Sequence, residues 1–144
     1  MKKENFKYYE KIQALDLKIE CPKIIEEDFE IAAYRYTYNK KVDTIDCLPQ
    51  AIKPGRPLRK LGDCETKICN DYAISLFNDE KKAKNYYNGL NKRTRELLGY
   101  KYVAKGVINN NDGYCTEVEK TGHFNLHELK NCALENKFAN INEL

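Results

Sequence analysis

The amino-acid sequence predicts an α+β domain with a mixed or mainly antiparallel sheet, on which one long amphipathic helix and an N-terminal helix pack. The chain of 144 residues is close to the commonest size of a single domain. Residues 31–38 alternate in the manner of a strand, and residues 71–108 follow a strand, helix, strand order. We therefore expect one domain over the whole chain. Its expected parts are a helical lead-in (1–30), an α+β core (31–128) and a C-terminal tail (129–144).

The lead-in contains one predicted helix. Residues 3–15 place Phe6, Tyr9 and Ile12 on one side, which is the spacing of an amphipathic helix. Residues 22–29 begin with proline and continue with an acidic run, and this pattern leaves a short helix and an irregular segment both open.

Residues 31–38 form the first predicted strand, because aromatic residues alternate with other types there. Tyr34, Tyr36 and Tyr38 share one face of this strand, and Arg35 points to the other face. Residues 39–70 hold three of the four prolines, so we expect a long connection with little regular structure.

The strand, helix, strand unit starts with a buried strand at residues 71–77, followed by Asn78 as the expected N-cap. One long helix is then predicted, and Gly99 ends it. Its apolar stripe is Ala83, Tyr86, Tyr87, Leu90, Leu97 and Leu98.

Residues 100–108 form the next predicted strand. The turn-forming residues 109–113 predict a hairpin that returns along residues 114–119. A further strand at 123–128 and a short element at 129–134 complete the predicted order.

Composition excludes several classes of protein. The net charge is +3 and both signs are interspersed, which argues against nucleic-acid binding. No stretch reaches the ~20 apolar residues that a membrane helix needs, and the charged start does not resemble a signal peptide. We therefore expect a cytoplasmic protein without a membrane association. A reducing compartment would keep the six cysteines as free thiols.

The sequence contains no complete metal-binding motif. His123 and His127 are four residues apart, but no glutamate follows His123 as a helical metalloprotease motif requires. Cys64 and Cys69 have the wrong spacing for half of a structural zinc site. We therefore predict no metal, although the sequence leaves open whether the histidines meet a cysteine in space.

The common phosphate-binding and nucleophile motifs are also absent, since the chain has no GxxxxGK[ST], GxGxxG or GxSxG. The tyrosine face of the first strand suits base stacking, but packing of those rings under a helix is the commoner arrangement.

One chain order does suggest chemistry. Arg35 lies in a strand, Ser75 lies in a strand that leads into a helix, and Glu117-Val118-Glu119 follows later. This order, over roughly residues 31–128, resembles that of the ADP-ribosyltransferases. The resemblance implies NAD as a substrate, with Arg35 on its pyrophosphate and Ser75 at the nicotinamide ribose. It also implies that Glu119 stabilises the oxocarbenium ion and that Glu117 guides the acceptor. Alternation along the predicted strand places both glutamates on one face.

The rival hypothesis is a non-catalytic module that binds another protein. Tyrosine and arginine are favoured at interfaces. The tyrosine face and the basic loop at residues 54–60, with Arg56 and Arg59, would form its surface. Whether the chain is an enzyme, and whether its partner is a nucleotide or a protein, stays open at this point.

Overall fold

A six-stranded antiparallel sheet forms the centre of the computed structural model, which describes residues 3–24, 27–55, 58–59 and 64–144. The predicted α+β class with an antiparallel sheet is confirmed. The strands are β1 (Glu30–Thr37), β2 (Ile74–Phe77), β3 (Tyr102–Asn109), β4 (Gly113–Cys115), β5 (His123–Glu128) and β6 (Ala139–Glu143), and their spatial order is β4-β5-β2-β1-β3-β6. The α-helices of the described residues are α1 (Tyr9–Ala14), α2 (Glu65–Asn70), α3 (Glu80–Gly89) and α4 (Lys92–Leu98).

The sheet separates two packed layers. Its core face meets the segments that contain the 3-10 turns Ile45–Cys47 and Leu134–Asn136. The residues of this core are Ala33, Val42, Cys47, Ile74, Leu76, Ala104, Ile108, Phe124, Leu126, Cys132, Leu134 and Phe138. On the opposite face Tyr36 packs under α3, and its hydroxyl donates a hydrogen bond to the backbone oxygen of Ala83.

Strand β1 joins the two halves of the sheet unequally. It pairs with β3 along all eight of its residues, whereas its register with β2 consists of one pair, Tyr34 with Phe77. Beyond that pair the ladder between β1 and β2 does not continue. The side chain of Arg35 crosses the resulting gap and donates a hydrogen bond to the backbone oxygen of Ser75.

The single long helix predicted after β2 is not confirmed, because the segment forms two helices, α3 and α4. Leu90 has an extended backbone, and the side chain of Asn91 accepts a hydrogen bond from Thr94 N to start α4. Apolar periodicity alone does not reveal such a break, because the apolar residues recur at helical spacing on both sides of Leu90. Gly99 ends α4 with φ +70°, as predicted.

The predicted hairpin between β3 and β4 is wrong, because β4 pairs with β5 at the far edge of the sheet. The carboxylate of Asp112 accepts a hydrogen bond from Asn109 N and forms an ion pair with Lys137, which stabilises the turn and leads the chain away from β3. Strand β4 ends at Cys115. Glu117 and Glu119 therefore lie in a connection, and the prediction that they share a strand face is also wrong.

Both ends of the chain differ from expectation. The N-terminal helix covers Tyr9–Ala14 only, while Phe6 forms a β-bridge with Leu129. Residues 22–24 and 27–29 are not helical, and Ile25 and Glu26 lie outside the described residues. The expected tail supplies β6, which pairs with β3.

The cysteine prediction needs correction. Cys21 and Cys69 form a disulfide, so the expectation of six free thiols is wrong. The bond links the lead-in to α2 within the connection that was expected to lack regular structure. The other cysteines, Cys47, Cys64, Cys115 and Cys132, are free. Within the described residues, no helix is both long enough and apolar enough to cross a membrane.

The N-cap of α3 offers a test of the fold. Asp79, and not the predicted Asn78, accepts the hydrogen bond from Lys82 N. We expect Asp79→Ala to lower the free energy of unfolding by about 1 kcal/mol, because the amide loses its acceptor. Urea denaturation measures this change. The control is Asn78→Ala, and an equal or larger loss in that variant would contradict the assignment of the cap.

Candidate functional site

A cavity of about 580 Å³ opens where β1 and β2 part. Three of the four predicted site residues line it: Arg35, Ser75 and Glu119. Glu117 is exposed and does not belong to the lining. The cavity also has a lining residue that the sequence-based prediction did not assign to the site, His123.

His123 connects the serine to the glutamate. Its Nε2 lies 2.6 Å from Ser75 Oγ, and its Nδ1 is hydrogen-bonded to the carboxylate of Glu119. A carboxylate only accepts hydrogen bonds, so Nδ1 carries the proton and donates it to Glu119. In the neutral ring Nε2 is then an acceptor, which faces the hydroxyl of Ser75. The three side chains form one directional chain from hydroxyl to imidazole to carboxylate.

The register between β2 and β5 brings the serine to the histidine. Phe77 is opposite His123, and Ser75 is opposite Asn125, so Ser75 and His123 are diagonal neighbours on the same face. Diagonal pairs are within reach of long side chains. Phe77 contacts the imidazole edge-on, with 5.6 Å between the ring centroids, and limits the orientations of the ring.

A tight turn brings Glu119 back to the same ring. Glu119 N donates to His123 O, and Gly122 N donates to Glu119 O. Gly122 has φ +84°, which favours glycine. A Cβ at this position would also lie 2.8 Å from the side-chain oxygen of Asn78. The turn therefore depends on glycine both for its backbone angle and for its close approach to the start of α3.

Arg35 is buried beside this chain of residues, with 5% of its surface exposed. Its Nε donates to Asp46 O (2.6 Å), Nη1 to Ser75 O (2.7 Å) and Nη2 to Leu48 O (3.2 Å). Three of the five N–H groups of a guanidinium are thus bonded to backbone carbonyl oxygens. The resemblance to the ADP-ribosyltransferases implied that this side chain binds a pyrophosphate. In the structure Arg35 holds together β1, β2 and the connection that follows β1.

The tyrosines of β1 have two different surroundings. Tyr36 is covered by α3, and Tyr38 stacks on Tyr100 with 4.8 Å between the ring centroids. Lys53 Nζ donates to both hydroxyls, at 3.0 Å to Tyr38 and 3.2 Å to Tyr100. Burial raises the pKa of Tyr100, but the positive charges of Lys53 and Arg35 outweigh it, so that this pKa lies below its ordinary value. This corner of the cavity favours negative charge.

The basic loop at residues 54–60 is only partly described. Arg56, Pro57 and Lys60 lie outside the described residues. Arg59 forms an ion pair with Asp71, with 2.7 Å between Nε and Oδ2. Its charge therefore already has a partner within the chain.

The second histidine does not belong to the site. His127 is 3% exposed, and its Nε2 lies 3.2 Å from the side-chain oxygen of Asn70. Burial lowers the pKa of His127 to about 4, because the charged ring would lose its hydration. Among the described residues, no group of three or more His, Cys, Asp or Glu side chains could hold a metal ion.

Sequence reasoning missed His123 because the known serine motifs place the nucleophile in a turn before a helix. Here Ser75 lies within a strand of an antiparallel sheet. The signal was a glutamate and a histidine four residues apart, separated by Lys-Thr-Gly and followed by an alternating strand. Without the β2–β5 register that signal does not identify the serine.

A scan against protein-family models gave no match, and searches of the curated proteins and of the solved structures gave none either. The candidate site therefore rests on its geometry.

The buried histidine predicts how stability depends on pH. The pKa of His127 is depressed on folding, so its contribution is present above the unfolded value near 6.5 and is lost as the pH falls towards 4. We expect acidification from pH 7 to pH 4.5 to reduce the free energy of unfolding by up to about 3 kcal/mol more in the native chain than in His127→Gln. Urea denaturation at both pH values measures the difference. Equal losses in the two chains would contradict the assignment.

Proposed function

We propose that this chain is an enzyme that cleaves an ester or amide bond through an acyl-enzyme intermediate. Ser75 is the nucleophile, His123 is the general base and acid, and Glu119 orients the imidazole. The observation that carries the proposal is the hydrogen-bonded chain from Ser75 Oγ through both nitrogens of His123 to the carboxylate of Glu119. A nucleophile, a base and a third group that orients the base are the parts that serine-dependent acyl transfer requires.

In the first step Ser75 Oγ attacks the carbonyl carbon, and His123 Nε2 takes the hydroxyl proton. The Nδ1–H bond to Glu119 stabilises the imidazolium that forms. The tetrahedral intermediate then expels the alcohol or amine, which leaves with the proton from Nε2. In the second step a water molecule gives its proton to Nε2 and attacks the acyl-serine. Release of the carboxylic acid returns the proton to Ser75 Oγ.

The negative oxygen of the intermediate needs a hydrogen-bond donor. Asn125 is the candidate, because it is opposite Ser75 in the β2–β5 ladder and lines the same cavity. Its backbone N–H donates to the hydroxyl of Thr116 at 2.9 Å, which fixes the residue in place. The side-chain amide can then donate to an oxygen held beside Ser75 Oγ.

ADP-ribosyl transfer is the second candidate. The observation in its favour is that Arg35, Ser75 and Glu119 line one cavity. In this alternative Arg35 and Ser75 contact NAD, while Glu119 stabilises the oxocarbenium ion. It gains less support than acyl transfer, because three N–H groups of Arg35 are bonded within the chain and Ser75 is bonded to His123.

Ester hydrolysis tests the first proposal. We expect Ser75→Ala and His123→Ala each to lower kcat/KM for p-nitrophenyl esters by about 10³-fold or more, because the nucleophile or its base is lost. Glu119→Gln should lower kcat/KM by about 10-fold or more, since the amide can no longer hold the Nδ1–H tautomer as a carboxylate does.

Glu117→Gln is the matched control, because Glu117 is an exposed carboxylate outside the cavity. It should hydrolyse the ester at the native rate. Hydrolysis by Ser75→Ala at the native rate would contradict the assignment of the nucleophile. Thermal unfolding of each variant shows whether a lost rate reflects chemistry or folding.

NAD binding tests the second candidate. A ligand that binds only the folded chain raises Tm as its concentration passes Kd. ADP-ribosyl transfer predicts a saturable rise in Tm with NAD, which Glu119→Gln retains because that residue acts after binding. No shift at millimolar NAD would exclude this candidate.

A further inference from the structure

We infer that the cavity beside Ser75 binds a substrate with an anionic group, a carboxylate or a phosphate, held by Arg35 and Lys53 a few bonds from the carbonyl that reacts. That the bound anion is a substrate rests on the proposed function, whereas the anion site itself rests on the charges alone. This assigns a substrate class to the cavity, which the hydrogen-bonded chain of Ser75, His123 and Glu119 does not specify.

The buried charge of Arg35 is the first argument. All three of its acceptors are neutral backbone oxygens, and it has no ion pair with a carboxylate in the described parts of the chain. A buried charge without a direct ion pair is costly, so an anion in the cavity would stabilise it beyond the longer-range attraction of Glu128, whose burial-raised pKa the charge of Arg35 lowers. Two N–H groups of the guanidinium remain beyond those bonded to the chain, which is the number that a carboxylate or phosphate accepts.

The balance of charges around the cavity also favours an anionic ligand. Among the described residues that line it, four are cationic and two are carboxylates. The cations are Arg35, Lys53, Arg59 and Lys67, and the carboxylates are Asp71 and Glu119. Asp71 is paired with Arg59, and Glu119 accepts the hydrogen bond of His123. Neither carboxylate therefore neutralises Arg35.

Tyr100 lies in the field of the same two cations. Its hydroxyl accepts a hydrogen bond from Lys53 at 3.2 Å, and Lys53 Nζ also lies 5.2 Å from the centre of its ring. Burial raises the pKa of Tyr100, but the charges of Lys53 and Arg35 outweigh it and lower this pKa below its ordinary value. The same corner should favour a substrate carboxylate or phosphate for the same reason.

The position of Arg35 limits where the anionic group can lie. Nη1 is 2.7 Å from the backbone oxygen of Ser75, so the positive charge is next to the nucleophile's own residue. A volume of about 580 Å³ lies within the usual range for small-molecule sites. A short acyl chain that ends in an anion fits both constraints.

Two esters of equal length test the inference. Mono-p-nitrophenyl glutarate and p-nitrophenyl pentanoate share the leaving group and differ at the end of the acyl chain, which is a carboxylate or a methyl group. We expect kcat/KM to favour the glutarate ester by about 10-fold or more, and we expect added salt to reduce this preference.

Lys53→Gln should lower the preference at least several-fold, because it removes one cation of the site. Lys81→Gln, at an exposed lysine outside the cavity, should keep it. Equal rates with both esters would overturn the inference.

A binding measurement separates this inference from the proposed function. Calorimetric titration of Ser75→Ala with glutarate and with inorganic phosphate detects the anion site without any chemistry. Saturable binding of either anion that weakens in the double variant Ser75→Ala/Lys53→Gln supports the site, even if no ester is hydrolysed, and the tighter of the two anions identifies the group. Ester hydrolysis without binding of either anion would overturn the site and leave the proposed function standing.

Discussion

The gap between β1 and β2, spanned by one guanidinium, is the constraint on which the site depends. A continuous ladder would close the sheet at Ser75, but the two strands pair at a single position. Arg35 instead supplies hydrogen bonds to Ser75 O on one side and to Asp46 O and Leu48 O on the other. Backbone oxygens that would be unpaired in a buried gap are thereby satisfied. The sheet stays open enough for a cavity without losing the connection between its halves.

Other buried charges in the molecule contrast with Arg35. Glu128 is 3% exposed and pairs with Lys7 at 2.8 Å, which ties the N-terminal segment to the end of β5. Asp112 pairs with Lys137 at 2.6 Å and connects the turn after β3 to the segment before β6. Burial raises the pKa of Glu128 against the opposing influence of Lys7 and, more weakly, of Arg35. These pairs are internal and close distant parts of the chain, whereas the charge of Arg35 faces a cavity.

The local patterns predicted most of the strands. Alternation in residues 31–38 and 100–108 and the apolar run at 71–77 depend on neighbours in sequence, and β1, β3 and β2 lie there. The helix break at Leu90 was missed because its cause is a cap by Asn91, which the apolar stripe does not reveal. The partner of β4 was missed because the bonds of Asp112 to distant residues decide it.

The site was predictable only in part, because several of its contacts also join residues that are distant in sequence. The chain order selected Arg35, Ser75 and Glu119, and all three line the cavity. It gave no information on Arg35 as a donor to backbone oxygens, because those oxygens belong to a connection without a recognisable pattern. The link through His123 depends on strand register, and a shift by one residue would turn its ring to the other face.

The order of the strands has a consequence for how the molecule reaches its native state. Ser75 and His123 are 48 residues apart, and the β1–β3 pair joins residues separated by still longer stretches of chain. Loops of this length must close before their contacts stabilise anything, so sheets built this way fold slowly compared with helical domains. The hydroxyl and the imidazole come together only when the β2–β5 ladder has formed. The rate at which chemical reactivity recovers during refolding would therefore measure how fast the long-range β2–β5 pairing forms.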